Sequence, residues 1–438
     1  MAAAIISAIG RETLRSIGSP LYGANLPAAM AAKRGGARRR QHVNVRAMLR
    51  VLTLSTLYPD RTRPGFGGFV ERQTRALAAL PGVEVRVVAP FALPPTRWAR
   101  RHPAYRALAE LPEREMWNGL EVHRPRFATL PMIGGRINPW SLARSVAPLL
   151  DSIRATFPFD VIDAEFFYPD GPAAVRLGAR LGVPVSIKAR GSDIHLWGAK
   201  PACRAKIVAA GRAADGMLAV SAALRDDMIA LGLPGERIRV HHTGVDASAF
   251  HPRDRAAAKA ALGVTGPLVA SAGNLIALKG HALLVDAMRE LPGATLLIAG
   301  RGPEREALAA RIAGAGLDDR VRLLGALPHD ELPGLFAAAD VMAAPSASEG
   351  LANVWVEAIA CGTPIVITDV GGAREVVDRP AAGRLVDRTP AAIAEGIRAV
   401  LADPRPQAEV AEAAARFSWE RNSAALYAHL AGLVEKHR

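Results

Sequence analysis

Short apolar runs alternate along most of the chain with stretches in which apolar residues recur every three or four positions. The first run, Leu49–Leu57, reads as a buried strand. A glycine-rich turn at Gly65–Gly68, a helix over Phe69–Leu80 and a strand over Val83–Ala89 follow. Further strands are predicted at Val161–Ala164, Val185–Ala189, Gly216–Val220 and Ile238–His241. The pattern then restarts. Pro267–Gly273 is a strand, a helix lies near His281–Glu290, and strands recur at Thr295–Ala299, Val321–Leu324, Val341–Ala344 and Pro364–Thr368. Apolar strands alternating with amphipathic helices form parallel sheets covered on both faces. Two successive arrays predict an α/β chain of two doubly wound, Rossmann-like domains, at 48–245 and 246–415. The turn-rich stretch 241–254 joins them, and residues 416–438 form a C-terminal amphipathic helix.

Composition narrows the class. With 438 residues, 50% hydrophobic and 22% charged, the chain is an ordinary globular one with room for two large domains. Aromatics are only 5%, so the cores are built from Ala, Leu, Val and Ile. Cys203 and Cys361 offer neither a disulfide scaffold nor a metal spacing, and a reducing cytoplasm is the simplest compartment. No apolar run reaches the roughly 18 residues of a membrane-spanning helix.

The net charge of +14 first suggests nucleic acid or a membrane surface. It is unevenly spread: +7 in residues 1–47, +9 in 48–250 and −2 in 251–438. The leader places its apolar stretch before its basic cluster, the reverse of a secretory signal. Met48, directly before the first strand, reads as the natural start, with 1–47 disordered or not native. A basic arm for anionic lipid or nucleic acid is the alternative.

Ligands of open α/β sheets sit at the carboxyl ends of strands, where helix N-termini offer free N–H groups to anions. Four places meet that rule. In SEGLANVWVEA (348–358), Glu349 lies in the turn entering a helix and Glu357 further inside it, while the amides of Leu351–Val354 can hold phosphate oxygens. In GNLIALKG (273–280), Lys279 precedes a helix and suits a diphosphate, as a compact cation with three donors. It is one of seven lysines against 48 arginines. In IAGRGPERE (298–306), Gly300 and Gly302 flank Arg301 at a strand end. In the first array, Gly67 and Gly68 follow the first strand, and Arg190 and Asp193 follow the strand VSIKA in RGSDI.

These landmarks, with YPDRTRPGFGGFVERQ (58–73) and VSAALRDDM (220–228) leading to HHTGVD (241–246), stand in the order found in one family. Over about residues 49–430 the chain resembles a group 1 (family 4) retaining glycosyltransferase with the GT-B fold. The resemblance implies two Rossmann-like domains facing a cleft and a C-terminal helix returning to the first. It implies transfer of a sugar, with retention, from a UDP- or GDP-linked donor to a hydroxyl of a glycan or lipid-linked acceptor. Cell-surface polysaccharide or glycolipid synthesis is the expected setting. Glu349 would contact the donor sugar, Glu357 the nucleotide ribose, and Asn353 and Val354 the phosphates. Gly300 and Gly302 would line the nucleotide pocket, and the stretch Arg322–Gly325 would touch the base.

Two positions depart from the family pattern. Asn274 stands where an Arg is common, so either it gives a neutral hydrogen bond or another base, such as Arg190, compensates. Arg190 itself stands where many relatives carry His, and Asp193 is an acceptor-side or a structural carboxylate. No cofactor is expected: no metal spacing is visible, and Lys279 with the helix amides would take a metal's place. An epimerase or hydrolase on the same fold is the enzymatic rival. A nucleic-acid binder would need basic residues interleaved with stacking aromatics, and none is evident. The segment 96–114, with Arg97, Trp98, Arg100, Arg101, Tyr105, Arg106 and Arg114, is either an interfacial element on an anionic membrane or a solvated helix. The expected location is cytoplasmic, with possible peripheral attachment to the membrane's inner face.

Overall fold

The computed structural model describes residues 48–94, 101–130 and 134–438. The leader 1–47 and Arg97, Trp98 and Arg100 of the basic segment lie outside the described residues. Its Pro103–Ala109 portion is a helix.

Among the described residues ten strands come first: β1 (Leu49–Leu54), β2 (Val83–Val88), β3 (Phe91–Leu93), β4 (Arg114–Trp117), β5 (Leu120–His123), β6 (Arg126–Ala128), β7 (Val161–Ala164), β8 (Val185–Ala189), β9 (Gly216–Ala219) and β10 (Ile238–Val240). Eight of them form a sheet in the order β10-β9-β8-β7-β1-β2-β5-β4, and β3 pairs separately with β6. Only the edge strand β4 runs antiparallel, against β5. Six further strands, β11 (Leu268–Ala272), β12 (Thr295–Ala299), β13 (Val321–Gly325), β14 (Val341–Ala344), β15 (Ile365–Thr368) and β16 (Gly383–Val386), form a second sheet. Its order is β13-β12-β11-β14-β15-β16, parallel throughout. Both are Rossmann-like sheets in which the winding reverses beside the first strand, at β1/β7 and β11/β14. The central strands β7, β8, β9, β11, β14 and β15 are buried at every position. That explains why they read as largely apolar runs.

The C-terminal helix, Trp419–His437, starts at Ser418, whose hydroxyl accepts the Arg421 amide at 3.3 Å. It packs back on the first sheet: Leu426, Leu430 and Val434 share a cluster with Leu49, Val51, Leu77 and Val161. His241 Nε2 donates to the Asn422 carbonyl at 2.9 Å, and Asn422 donates to the His242 carbonyl at 2.7 Å.

Some elements are shorter than the pattern suggested. The first strand ends at Leu54, because the Ser55 hydroxyl bonds locally to Leu57 and turns the chain. The helix at 281 is regular only over His281–Ala287 and tightens to a 3₁₀ turn at Met288–Glu290. The strands β3 to β6 and the long helix Gly134–Thr156 were not expected. Pro139 and Pro148 inside that helix break the sequence signal without breaking the helix.

Candidate functional site

Two loops of the second sheet bring together residues 70 positions apart. After β11 the chain passes Gly273 and Asn274 and makes a 3₁₀ turn at Ala277–Lys279. Gly280 then opens the next helix with φ 70°. A side chain there would put its Cβ 2.3 Å from the Pro345 carbonyl oxygen, so only glycine lets this loop lie against the one after β14. The Ala347 amide donates to the Leu278 carbonyl at 2.8 Å. Lys279 Nζ thereby meets Glu349 Oε1 at 2.5 Å, with both side chains largely buried. The ammonium has three donors, so two remain for a ligand.

Behind Glu349 the chain enters the helix Asn353–Ala360 through Leu351 and Ala352. The first amides of a helix, here those of Asn353 and Val354, have no intrahelical partner. Glu357 lies one turn inside and is buried, with Oε1 held at 2.8 Å by His329 Nε2. His329, which follows β13, was not anticipated from sequence; its ring also meets Phe250 edge-on at 5.1 Å. Gly300 and Gly302 form the third loop. A Cβ on Gly300 would fall 1.8 Å from the Gly273 carbonyl oxygen, and one on Gly302 2.3 Å from that of Leu275. Their role in this fold is close loop packing. The Leu275 amide donates to the Arg301 carbonyl at 2.9 Å, which leaves the Asn274 side chain exposed at the rim.

On the first sheet, Gly67 (φ 71°) sits before the helix Gly68–Ala78, with its Cβ position 2.5 Å from the Leu57 carbonyl group. Phe69, next in that helix, lies 4.9 Å beneath the Arg190 guanidinium. Arg190 pairs with the buried Glu165, and both side chains are shielded from water. Arg190 is thus anchored to Glu165 within its own domain, while its Nη1 is buried without a hydrogen-bond partner.

Asp193 is also fully buried. Its carboxylate accepts the amides of Phe167 (2.8 Å), Arg190 (3.0 Å), Gly191 (2.8 Å) and Ile194 (3.1 Å). Burial raises its pKa, and the amide bonds oppose that rise. This geometry favours the structural reading of Asp193: it knots the loop after β8.

That loop meets the second domain directly. Gly191 (φ 120°) lies against Gly350, and a Cβ on Gly350 would be 2.4 Å from the Arg190 carbonyl oxygen. Ser221 Oγ donates to the Gly350 carbonyl at 3.0 Å. The Ala222 amide donates to Glu375 at 2.8 Å, and His195 Nδ1 meets Ser348 Oγ at 2.9 Å. The loop carrying Glu349 is thus braced from across the cleft.

A buried polar cluster beneath this junction escaped the sequence reading. Lys188 Nζ donates to Gln73 at 2.5 Å and to His241 Nδ1 at 2.6 Å, and Gln73 bonds to Glu165. Burial pushes Asp163 well above and Lys188 and His241 well below their ordinary values. In Glu165 burial is outweighed by Arg190 and Lys188, so that carboxylate is held down.

Two family descriptions match the chain in succession: "Glycosyltransferase Family 4" over residues 65–249 and "Glycosyl transferases group 1" over 252–417. A D-inositol 3-phosphate glycosyltransferase of Mycolicibacterium vanbaalenii is 39% identical over 222 residues, covering 46% of this chain and 49% of that protein. The enzyme of the same name from Mycobacterium tuberculosis is 39% identical over 212 residues, covering 45% and 44%. The chain thus spans about half the length of the curated relatives it matches. Among solved structures, sucrose-phosphate synthase from Thermosynechococcus elongatus aligns with a TM-score of 0.72 at 21% identity, over 89% of this chain and 100% of that one. Anabaena HepE in complex with UDP aligns with a TM-score of 0.68 at 22% identity, over 88% and 100%. At that identity the likeness is one of fold.

Proposed function

Since the chain belongs to the group 1 glycosyltransferases of the GT-B type, we propose that it moves a sugar from a UDP- or GDP-linked donor to an acceptor hydroxyl, with retention. The acceptor in this reading is a glycan or a lipid-linked saccharide. The relatives' names add a cyclitol phosphate to the candidates. The observation that carries the reading is the Lys279–Glu349 pair at the mouth of the helix Asn353–Ala360. Anabaena HepE, of like fold, is solved with UDP and with UDP-glucose, which supports a nucleotide-sugar as donor.

The leaving nucleoside diphosphate gains negative charge as the glycosidic bond breaks. Lys279 and the amides of Leu351, Asn353 and Val354 would meet that charge in a site where little water screens them. Asn274 would add a neutral hydrogen bond at the rim. Glu349 would hold sugar hydroxyls, and Glu357, braced by His329, would accept from the ribose. Gly300 and Gly302 would let the backbone approach the nucleotide. A front-face route, with a donor phosphate oxygen taking the acceptor proton, asks for no enzyme nucleophile and no metal. Closure about the 241–254 connector would exclude water.

Among the described residues no helix is long and apolar enough to cross a membrane. Attachment to an anionic membrane surface remains part of the proposal, as does a cytoplasmic location.

The reading is tested by incubating the protein with UDP- and GDP-sugars, with and without acceptor mixtures. Release of nucleoside diphosphate that depends on acceptor supports transfer. Equal release without acceptor points to a hydrolase, and conversion of the donor sugar to an isomer points to an epimerase.

A further inference from the structure

A cavity of about 500 Å³ opens in the first domain, away from the Lys279–Glu349 pair. Its size is in the range of small-molecule sites. Thr129, Arg136, Asn138, Trp197, Lys200 and Cys203 are among its lining residues. They come from the end of β6, the start of the helix Gly134–Thr156, the turn Asp193–Trp197 and the start of the helix Pro201–Ala213.

Two features of this lining point to an anion. Among the described residues, its lining holds two cationic side chains and no carboxylate. Among the described residues neither Arg136 nor Lys200, both exposed, has an ion-pair partner, and Lys200 rests over the Trp197 ring. The polar groups are also chiefly donors: a guanidinium, an ammonium, and the Asn138 amide, whose oxygen is already taken by the Thr129 hydroxyl at 3.0 Å. A planar fork beside a compact ammonium suits the oxygens of a phosphate.

The wall is built to stay in place. Trp197 is flanked by the Tyr168 ring at 5.3 Å and by Lys200 Nζ at 4.2 Å from its centroid. A Cβ on Gly135 would lie 2.8 Å from the Trp197 ring, so glycine permits this close packing. The Tyr168 hydroxyl and Cys203 Sγ both donate to the Gly135 carbonyl. The same five-residue turn reaches the donor side: two residues before Trp197, His195 bonds to Ser348, the neighbour of Glu349. A ligand in the cavity is therefore one short turn away from the donor loop.

We propose that this cavity is an acceptor subsite, in which Arg136 and Lys200 bind a phosphate group carried by the acceptor. The proposal rests on the glycosyltransferase reading. The phosphate could belong to a soluble sugar phosphate or to a lipid-linked diphosphate. The test is calorimetric titration of the full chain with glucose 6-phosphate and with a short-chain prenyl diphosphate, using glucose and inorganic phosphate as comparators. UDP is titrated separately. The wild type is expected to bind at least one of the two phosphate esters saturably, more tightly than glucose or inorganic phosphate. Whichever ester binds identifies the source. Arg136→Ala/Lys200→Ala should weaken that binding at least about tenfold, the loss expected for charge-assisted hydrogen bonds, and leave UDP affinity unchanged, which also reports that the variant is folded. No saturable binding of either ester, equal affinity in the double variant, or inorganic phosphate binding as tightly as the esters would overturn the subsite. Failure of the wild type to bind UDP would instead count against the glycosyltransferase reading, so the two ideas fail separately.

Discussion

The docked C-terminal helix should respond to acid through His429. This residue is buried on the helix and meets Ser186 Oγ of β8 at 3.1 Å. Burial, followed by the charges of Arg239, Lys188 and Lys436, lowers its pKa from 6.5 to about 4. The folded state therefore resists protonation, while the unfolded chain takes up a proton near pH 6.5. The stability His429 contributes is complete above pH 6.5 and is lost as pH falls towards 4. With one pKa unit worth about 1.4 kcal/mol, that loss is roughly 2.5 kcal/mol by pH 4.5. Other groups titrate over the same range, His281 among them, with a pKa lowered to about 4 by burial. The comparison is therefore between the wild type and His429→Gln, which retains a polar partner for Ser186 but does not titrate. We predict that urea unfolding followed from pH 7 to 4.5 shows the wild type losing about 2.5 kcal/mol more than His429→Gln. Parallel acid slopes would refute the reasoning.

Other expected outcomes concern the cleft. Glu165→Gln leaves the buried Arg190 without its counter-charge and should cost about 3–5 kcal/mol in denaturant unfolding; a change below about 1 kcal/mol would mean that water or Asp163 compensates. Gly302→Ala places a methyl 2.3 Å from the Leu275 carbonyl oxygen and pushes apart the two loops that carry Asn274 and Arg301. UDP affinity should fall at least about tenfold, as expected when positioned donors are displaced, with unchanged far-UV circular dichroism; wild-type affinity would show that the loops do not line the nucleotide.

The fold was legible because its central strands are buried on both faces and read as largely apolar runs, with Asp163 in β7 and Ser186 and Lys188 in β8 as buried polar exceptions. β7, β8 and β11 were placed by that signal alone. The edge region from β3 to β6 was not, since those short strands are partly exposed and mix polar with apolar residues, as REMW and RFA do. At the site, the types and positions of Glu349 and Lys279 were readable, but their contact was not: it depends on two loops converging from either side of the β11/β14 switch point. Lys188 illustrates the opposite failure. Within VSIKA it looks like one polar residue in a strand, and only the tertiary fold supplies Gln73 and His241 as its buried partners. His329 likewise had no local signal, because its partner Glu357 lies 28 residues away.

The central claim is that the Lys279–Glu349 pair forms the donor site. The most direct test is donor binding and turnover with UDP- and GDP-sugars, comparing the wild type with Lys279→Ala and Glu349→Ala. The account predicts that the wild type turns over one donor. Lys279→Ala should lower the rate by about 10²–10³, the usual cost of removing a donor that stabilises developing charge, and weaken nucleoside diphosphate binding, while Glu349→Ala, which removes an acceptor for sugar hydroxyls and the anchor of Lys279, should lower donor turnover at least about tenfold. Wild-type binding and turnover in both variants would contradict it.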